Sequence, residues 1–419
     1  MTDGTLAMER LLEDRLSMIL LATTACRRLL PVLFLIVSSI QVARADPGKP
    51  IGARLHLTHV SADVWRADYD LPEPVDNIHF DRAGAYRSQA WRIVTPGLTF
   101  ETHGNQEVIT AGGKRFSTIS VEVALYLPYD EGNYTAFDRF TDGGTDVYVG
   151  FFAGAAQQGS EERGLRLDIQ LTGLPNENVI PTSAINPEEP DYAYFGPATP
   201  TPFGAARILL DPQLPAWLVP EIQQTTAKVT SYFDQVWHRK LAAPPLILIS
   251  YDPAPAKGLS LKGGALEKKL VFRFGGDALR LEGNPIVRRY LVEVVAHELA
   301  HIWQRNVARG GFGGDESWFH EGGAEAIALA ALRATGLFSK EEADAYAAKL
   351  LAECDQLKDN VTTYRGFYAC GFARFHGYPT DVLGLWKKMM ESTESSGAFY
   401  SQKMIESILK DARQNGGVR

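Results

Sequence analysis

Two histidines four residues apart, His297 and His301, bracket a glutamate in the stretch VVAHELAHIWQRN, Val294–Asn306. On a helix that spacing places both imidazoles on one face, one turn apart, where they can share a zinc ion. Glu298, beside the first histidine, is then in position to act as a general base on a water at the same site. The competing reading is an amphipathic helix that carries polar residues by accident. Leu291, Val294, Val295, Leu299, Ile302 and Trp303 weaken it, because they make the segment apolar around much of its circumference. Polar groups on so buried a helix need partners, and a metal supplies one. The third ligand decides the matter. Glu321 lies in SWFHEGGAEAIA, on a new helix beyond the glycine-rich ARGGFGGDES, and a reversal through those glycines would aim it at the metal.

This constellation resembles the gluzincins, the thermolysin-like zinc metallopeptidases with HExxH and a downstream glutamate. It is most similar to their aminopeptidase and glycyl-aminopeptidase-like branches, where a Trp-x-x-Glu-Gly phrase carries the third ligand. Here that phrase is Trp318-Phe319-His320-Glu321-Gly322. The separation between pentad and phrase is one residue longer than in the aminopeptidases, so the intervening loop differs. The resemblance implies one Zn2+ per chain, held by His297, His301 and Glu321, with Glu298 as the base.

Glu325, one turn after Glu321, occupies the offset at which such sites place an acid that accepts a hydrogen bond from a ligating histidine. Its alternative is an exposed helical glutamate. His320 is read as pointing elsewhere on its helix. Tyr368 opens YACGFARF, which resembles the Tyr-x-x-Gly-Phe-Ala phrase that sets a tyrosine opposite the zinc; a phenol there would donate to a developing oxyanion. Tyr364 competes for the role, and a simply packed tyrosine is the plainer reading. Glu267 in GALEK, Gly264–Lys268, looks like the Gly-Ala-Met-Glu-Asn signature whose glutamate binds a substrate's free amino terminus. Lys268 stands where that signature has Asn and could neutralise it, so an incidental turn glutamate stays open.

The elements that must position these residues follow from pattern. From residue 205 onward ARILL, PLILISY and KKLVFRFGG read as strands, PAWLVPEIQQTTAKVTSYFDQVW as a helix, and the remainder as mainly helical. Asn284-Pro285 supplies an N-cap and a first-turn proline for the zinc helix. Residues 46–174 are broken into short, partly alternating segments split by Gly, Pro, Asn and Asp, which suits a β-sandwich or a twisted antiparallel sheet. Trp65 and Trp91 within them read as core filling. Residues 175–204 are proline-rich and read as a connector. The expected fold class is α+β: a β-sandwich-like domain, then a thermolysin-like, mainly helical catalytic domain with a small sheet, over 205–419.

Arg27 and Arg28 precede the apolar LLPVLFLIVSSI and then Ala43-Arg44-Ala45, so residues 1–45 read as a signal peptide for export to the periplasm or the exterior, without stable membrane insertion afterwards. Cys354 and Cys370, the cysteines that would remain, suit a disulfide in an oxidising compartment, with two free thiols as the alternative. A net charge of −8 with scattered basic residues argues against a nucleic-acid partner. The expected partner is a peptide or protein substrate. The reading from another class is a zinc-stabilised, inactive binding protein whose β-domain recognises a polymer or protein; Glu298 argues against it, since a structural zinc site has no use for a base.

Overall fold

Alternation of apolar and polar residues builds the first half of the molecule. In Ile51–Ser61 and Val64–Val75 nearly every second side chain is buried. The computed structural model describes residues 49–128, 134–181, 191–241, 243–254, 257–266, 268–307, 317–396 and 400–414. The expected signal peptide and Glu267 lie outside the described residues. Among those described, nine strands join in the order Trp91–Ile93, Phe116–Ala124, Val64–Val75, Ile51–Ser61, Glu161–Thr172, Ala155–Gln158, Asn77–Asp81, Gln106–Thr110, Thr99–His103. The pairings are antiparallel except one: Ile51–Thr58 runs parallel to Leu165–Thr172. The long excursion between these two strands supplies the crossover that parallel pairing needs.

A second sheet, Asn178–Ile180, Tyr192–Gly196, Thr145–Tyr148 and Phe137–Arg139, closes one face on the first. Trp65 packs there against Phe137 and stacks on His59 with ring centroids 4.2 Å apart, and Trp91 stacks on Phe152. Both tryptophans are therefore core, as expected. The proline-rich stretch is more than a connector. It contributes two strands to this second sheet, one of them the wholly buried Tyr192–Gly196, and Thr201–Phe203 to a third. Pairing with Thr145–Tyr148 decides its conformation, and no local period signals that partner.

The other face of the second sheet, with Phe140, Tyr148, Tyr192 and Tyr194, meets Leu209, Leu246, Leu248 and Val271 of a five-stranded sheet. That sheet runs Thr201–Phe203, Ala206–Leu210, Leu246–Asp252, Lys269–Gly275, Ser260–Ala265, with its three inner strands parallel. Leu246–Tyr251 is buried on both faces, which explains its unbroken apolar run.

After the one-turn α1 (Tyr86–Ala90), the helices are α2 (Leu218–Trp237), α3 (Pro285–Val307), α4 (Ser317–Ala334), α5 (Lys340–Gln356), α6 (Tyr364–Gly377), α7 (Val382–Ser396) and α8 (Gln402–Gln414). Several begin at side-chain caps. Asn284 Oδ1 accepts from the backbone N–H of Ile286 at 2.9 Å, Ser339 and Glu342 form a capping box, and Thr363 caps α6 through Gly366 N. One hydrophobic core runs from the five-stranded sheet through α2 to α8, so the fold is α+β, sheet-rich first and helical after. No helix among the described residues is long and apolar enough to cross a membrane.

Candidate metal centre

α3 is buried on most of its surface: Leu291, Leu299, Ala300 and Ile302 are fully covered, and Trp303 packs against Phe233 of α2. The remaining face carries His297 and His301, both buried, towards the N-terminal part of α4, where Glu321 lies. The glycine-rich residues 308–316, through which the reversal is expected, lie outside the described residues.

His297 Nε2 and His301 Nε2 are 3.0 Å apart, and each is 3.2 Å from Glu321 Oε2. These three atoms form a nearly equilateral triangle. Tetrahedral bonds of about 2.0–2.1 Å to zinc would separate neighbouring ligand atoms by about 3.3 Å. The outward nitrogens of the two rings have different partners. His301 Nδ1 hydrogen-bonds Gln304 Oε1 at 2.8 Å, whereas His297 Nδ1 makes no hydrogen bond among the described residues and has Glu325 Oε1 as an ion-pair neighbour at 3.5 Å. With its proton on Nδ1, His301 turns the Nε2 lone pair towards Glu321 Oε2. Two imidazole nitrogens and a carboxylate oxygen at this spacing are ligand types that zinc takes, so the donor set fits zinc.

The electrostatics agree. Burial works against a charge on His297, yet Glu325, Glu321 and Glu298 outweigh it and push the imidazole up to about 9. Burial likewise opposes ionisation of Glu321, but His301 and His297 hold its carboxyl well below the usual range. The site calls for positive charge at its centre. One turn before His297, burial pushes Glu293 up to about 7.

Glu325 is buried, not exposed, and its Oε2 accepts a hydrogen bond from Tyr346 of α5 at 2.7 Å. Glu298 is half-buried and close enough to act electrostatically on both His297 and Tyr368. Tyr368 lies over His297, ring centroids 5.5 Å apart, and burial followed by Glu321 pushes its phenol well up, so it stays a neutral O–H donor. Tyr364 stands further out, 69% exposed, with its hydroxyl 3.5 Å from that of Tyr368. Of the two tyrosines, Tyr368 is the one beside the ligands. Cys354 and Cys370 are joined in a disulfide that ties α5 to α6 just past Tyr368.

Two residues differ from the sequence reading or were missed by it. His320 does not point away: its ring stacks on that of His301 at 3.9 Å, and its Nδ1 lies 3.4 Å from the Tyr400 hydroxyl. The crossing of α3 and α4 brings the two imidazoles together, which spacing along one helix cannot reveal. Gln304 was overlooked; a polar residue three places after the second histidine, on an apolar helix, was the available signal.

The approach of α6 to α4 depends on a glycine pair. A Cβ on Gly322 would lie 2.3 Å from Gly371 Cα, and one on Gly371 2.4 Å from the Trp318 carbonyl oxygen. Both glycines belong to the phrases that flagged Glu321 and Tyr368.

No protein-family model matches the chain, and no curated protein does. Solved structures do. An aminopeptidase N family protein from Idiomarina loihiensis matches over 88% of this chain and 76% of its own, with 12% identity and a TM-score of 0.59. Yeast LTA4 hydrolase in complex with bestatin matches over 88% and 65%, with 13% identity and a TM-score of 0.48. A two-domain M1 zinc metallopeptidase variant bound to L-arginine matches over 88% and 92%, with 14% identity and the same score. This chain has the fold of an aminopeptidase N family protein, and within that fold His297, His301 and Glu321 converge.

Proposed function

We propose that this protein is an exported, zinc-dependent peptidase that hydrolyses peptide bonds with Glu298 as general base. The observation that carries the reading is the triangle of His297, His301 and Glu321, whose nitrogen and oxygen atoms face one another at 3.0–3.2 Å. Zinc held there would supply Lewis acidity towards a scissile carbonyl and a water. Glu298 takes a proton from that water and delivers it to the departing amine. Tyr368, kept neutral by burial, donates a hydrogen bond to the carbonyl oxygen as charge develops on it. Glu325, steadied by Tyr346, orients the His297 ring. The Cys354–Cys370 bond supports an oxidising destination, in line with the signal-like residues 1–45.

The likeness to an aminopeptidase N family protein supports removal of amino-terminal residues, with Glu267 as the group that would recognise the free amine. A peptide library offered with free and with blocked amino termini tests this. Cleavage confined to free termini, and lost in Glu267→Ala, is the expected result. Equal rates on both would leave a peptidase without amine recognition, and no cleavage of either would remove the peptidase reading.

A further inference from the structure

We propose that Gln304 is a positioning residue of the metal centre, fixing the tautomer of His301 and tying the second ligand to the third. The inference rests on the zinc reading above. Gln304 is 1% exposed and has two polar contacts. Its Nε2 donates to the backbone carbonyl of His320 at 3.1 Å, and its Oε1 faces His301 Nδ1 at 2.8 Å.

The orientation of the amide follows from these contacts. A carbonyl only accepts, so the amide NH2 must face His320 O and the amide oxygen must face the imidazole. An amide oxygen cannot donate. The proton of His301 therefore sits on Nδ1, and the Nε2 lone pair points to Glu321. Turning the amide over would set oxygen against carbonyl and lose the bond to His320. Because His320 directly precedes Glu321, this single side chain also registers α3 against α4 where the ligands meet. The His320 ring, stacked 3.9 Å from that of His301, restrains the imidazole plane from the side.

The two ligating histidines are thus held differently. His297 has a carboxylate behind it and His301 a neutral amide. Three carboxylates already act on His297, from Glu325, Glu321 and Glu298, and a fourth would add negative charge without improving the geometry. An amide supplies the acceptor without that charge.

The test compares wild type, Gln304→Leu and Gln304→Glu by zinc affinity in competition with a chelator. Long-range proton–nitrogen NMR of the histidine rings in zinc-free wild type reads the tautomer directly. Loss of a partner behind a ligating histidine typically weakens metal binding about 10–100-fold, which is the loss expected for Gln304→Leu. Gln304→Glu keeps an acceptor at Nδ1 but gives up the bond to the His320 carbonyl, so it should recover part of the loss, and neutral His301 in wild type should carry its proton on Nδ1. Any one of three results overturns the proposal: leucine binding zinc as wild type does, glutamate as weak as leucine, or His301 protonated on Nε2 alone. Should the leucine variant fail to fold, the tautomer still decides. A wild type that binds no zinc overturns the metal reading and this proposal with it, whereas tight binding by both wild type and leucine variant overturns only the role of Gln304.

Discussion

Gly322→Ala should slow catalysis without removing the metal. A Cβ at this position would lie 2.1 Å from the Gly371 carbonyl carbon, where ordinary contact begins at 3.4 Å. The shortfall is 3.4 − 2.1, or about 1.3 Å, and the obstructing atoms are backbone that no rotamer change can move. α4 and α6 must therefore part. Glu321 adjoins Gly322, and Tyr368 lies one turn before Gly371, so the separation opens the space between ligand and phenol. Overpacking of this kind costs about 1–3 kcal/mol. A displacement of about 1 Å in a catalytic constellation can cost about 100-fold in rate. His297, His301 and Glu321 sit on α3 and α4, whose contact is unchanged, so zinc should remain. Thermal melts, zinc content and turnover on a peptide substrate measure the three consequences: a lower Tm, stoichiometric zinc, and kcat reduced about 100-fold. Wild-type stability and turnover in the variant would refute the reasoning, as would loss of zinc with unchanged turnover per bound ion.

Tyr368→Phe removes a donor from the site while keeping the ring over His297; kcat should fall about 100–1,000-fold with KM and zinc content nearly unchanged, and unaltered kcat would return the role to Tyr364. Cys354→Ser opens a cross-link across 16 positions and should cost about 3 kcal/mol in urea unfolding, matched by reduction of the wild type; an unchanged midpoint would contradict this. Asp138 and Asp146 face each other across paired strands, both buried, and burial pushes Asp138 up to about 6 and Asp146 well above its usual range. The folded state therefore holds these protons more tightly than the unfolded chain does. The stability that Asp138 contributes is complete below about pH 4 and is lost as pH rises through about 6, on the order of a few kcal/mol, and Asp146 adds a loss in the same direction. Asp138→Asn should flatten that fall and stabilise the protein at pH 7, and a melting profile parallel to wild type between pH 4 and 7 would count against it.

What could be read from the sequence is what a single helix encodes. His297 and His301 share a face because of their spacing, Glu325 follows Glu321 by one turn, and the apolar residues around the pentad announced a buried helix. Asn284 and Pro285 marked its start. What escaped depends on contacts between elements. The stacking of His320 on His301 and the Gly322–Gly371 approach exist only once α4 has crossed α3 and α6 has docked. The Pro-rich stretch hid Tyr192–Gly196 because its strand character comes from pairing with Thr145–Tyr148. Likewise, alternation exposed the two-sided pattern of Ile51–Ser61 but not its parallel partner, which lies across a long excursion of the chain.

The central claim is that His297, His301 and Glu321 hold a zinc ion on which Glu298 acts as base. Zinc stoichiometry and peptide turnover, measured side by side for wild type and Glu298→Gln, test it most directly. One zinc per chain in both proteins, with turnover confined to wild type, is the predicted result. A wild type without zinc, or a Glu298→Gln variant that cleaves peptides as fast as wild type, would contradict it.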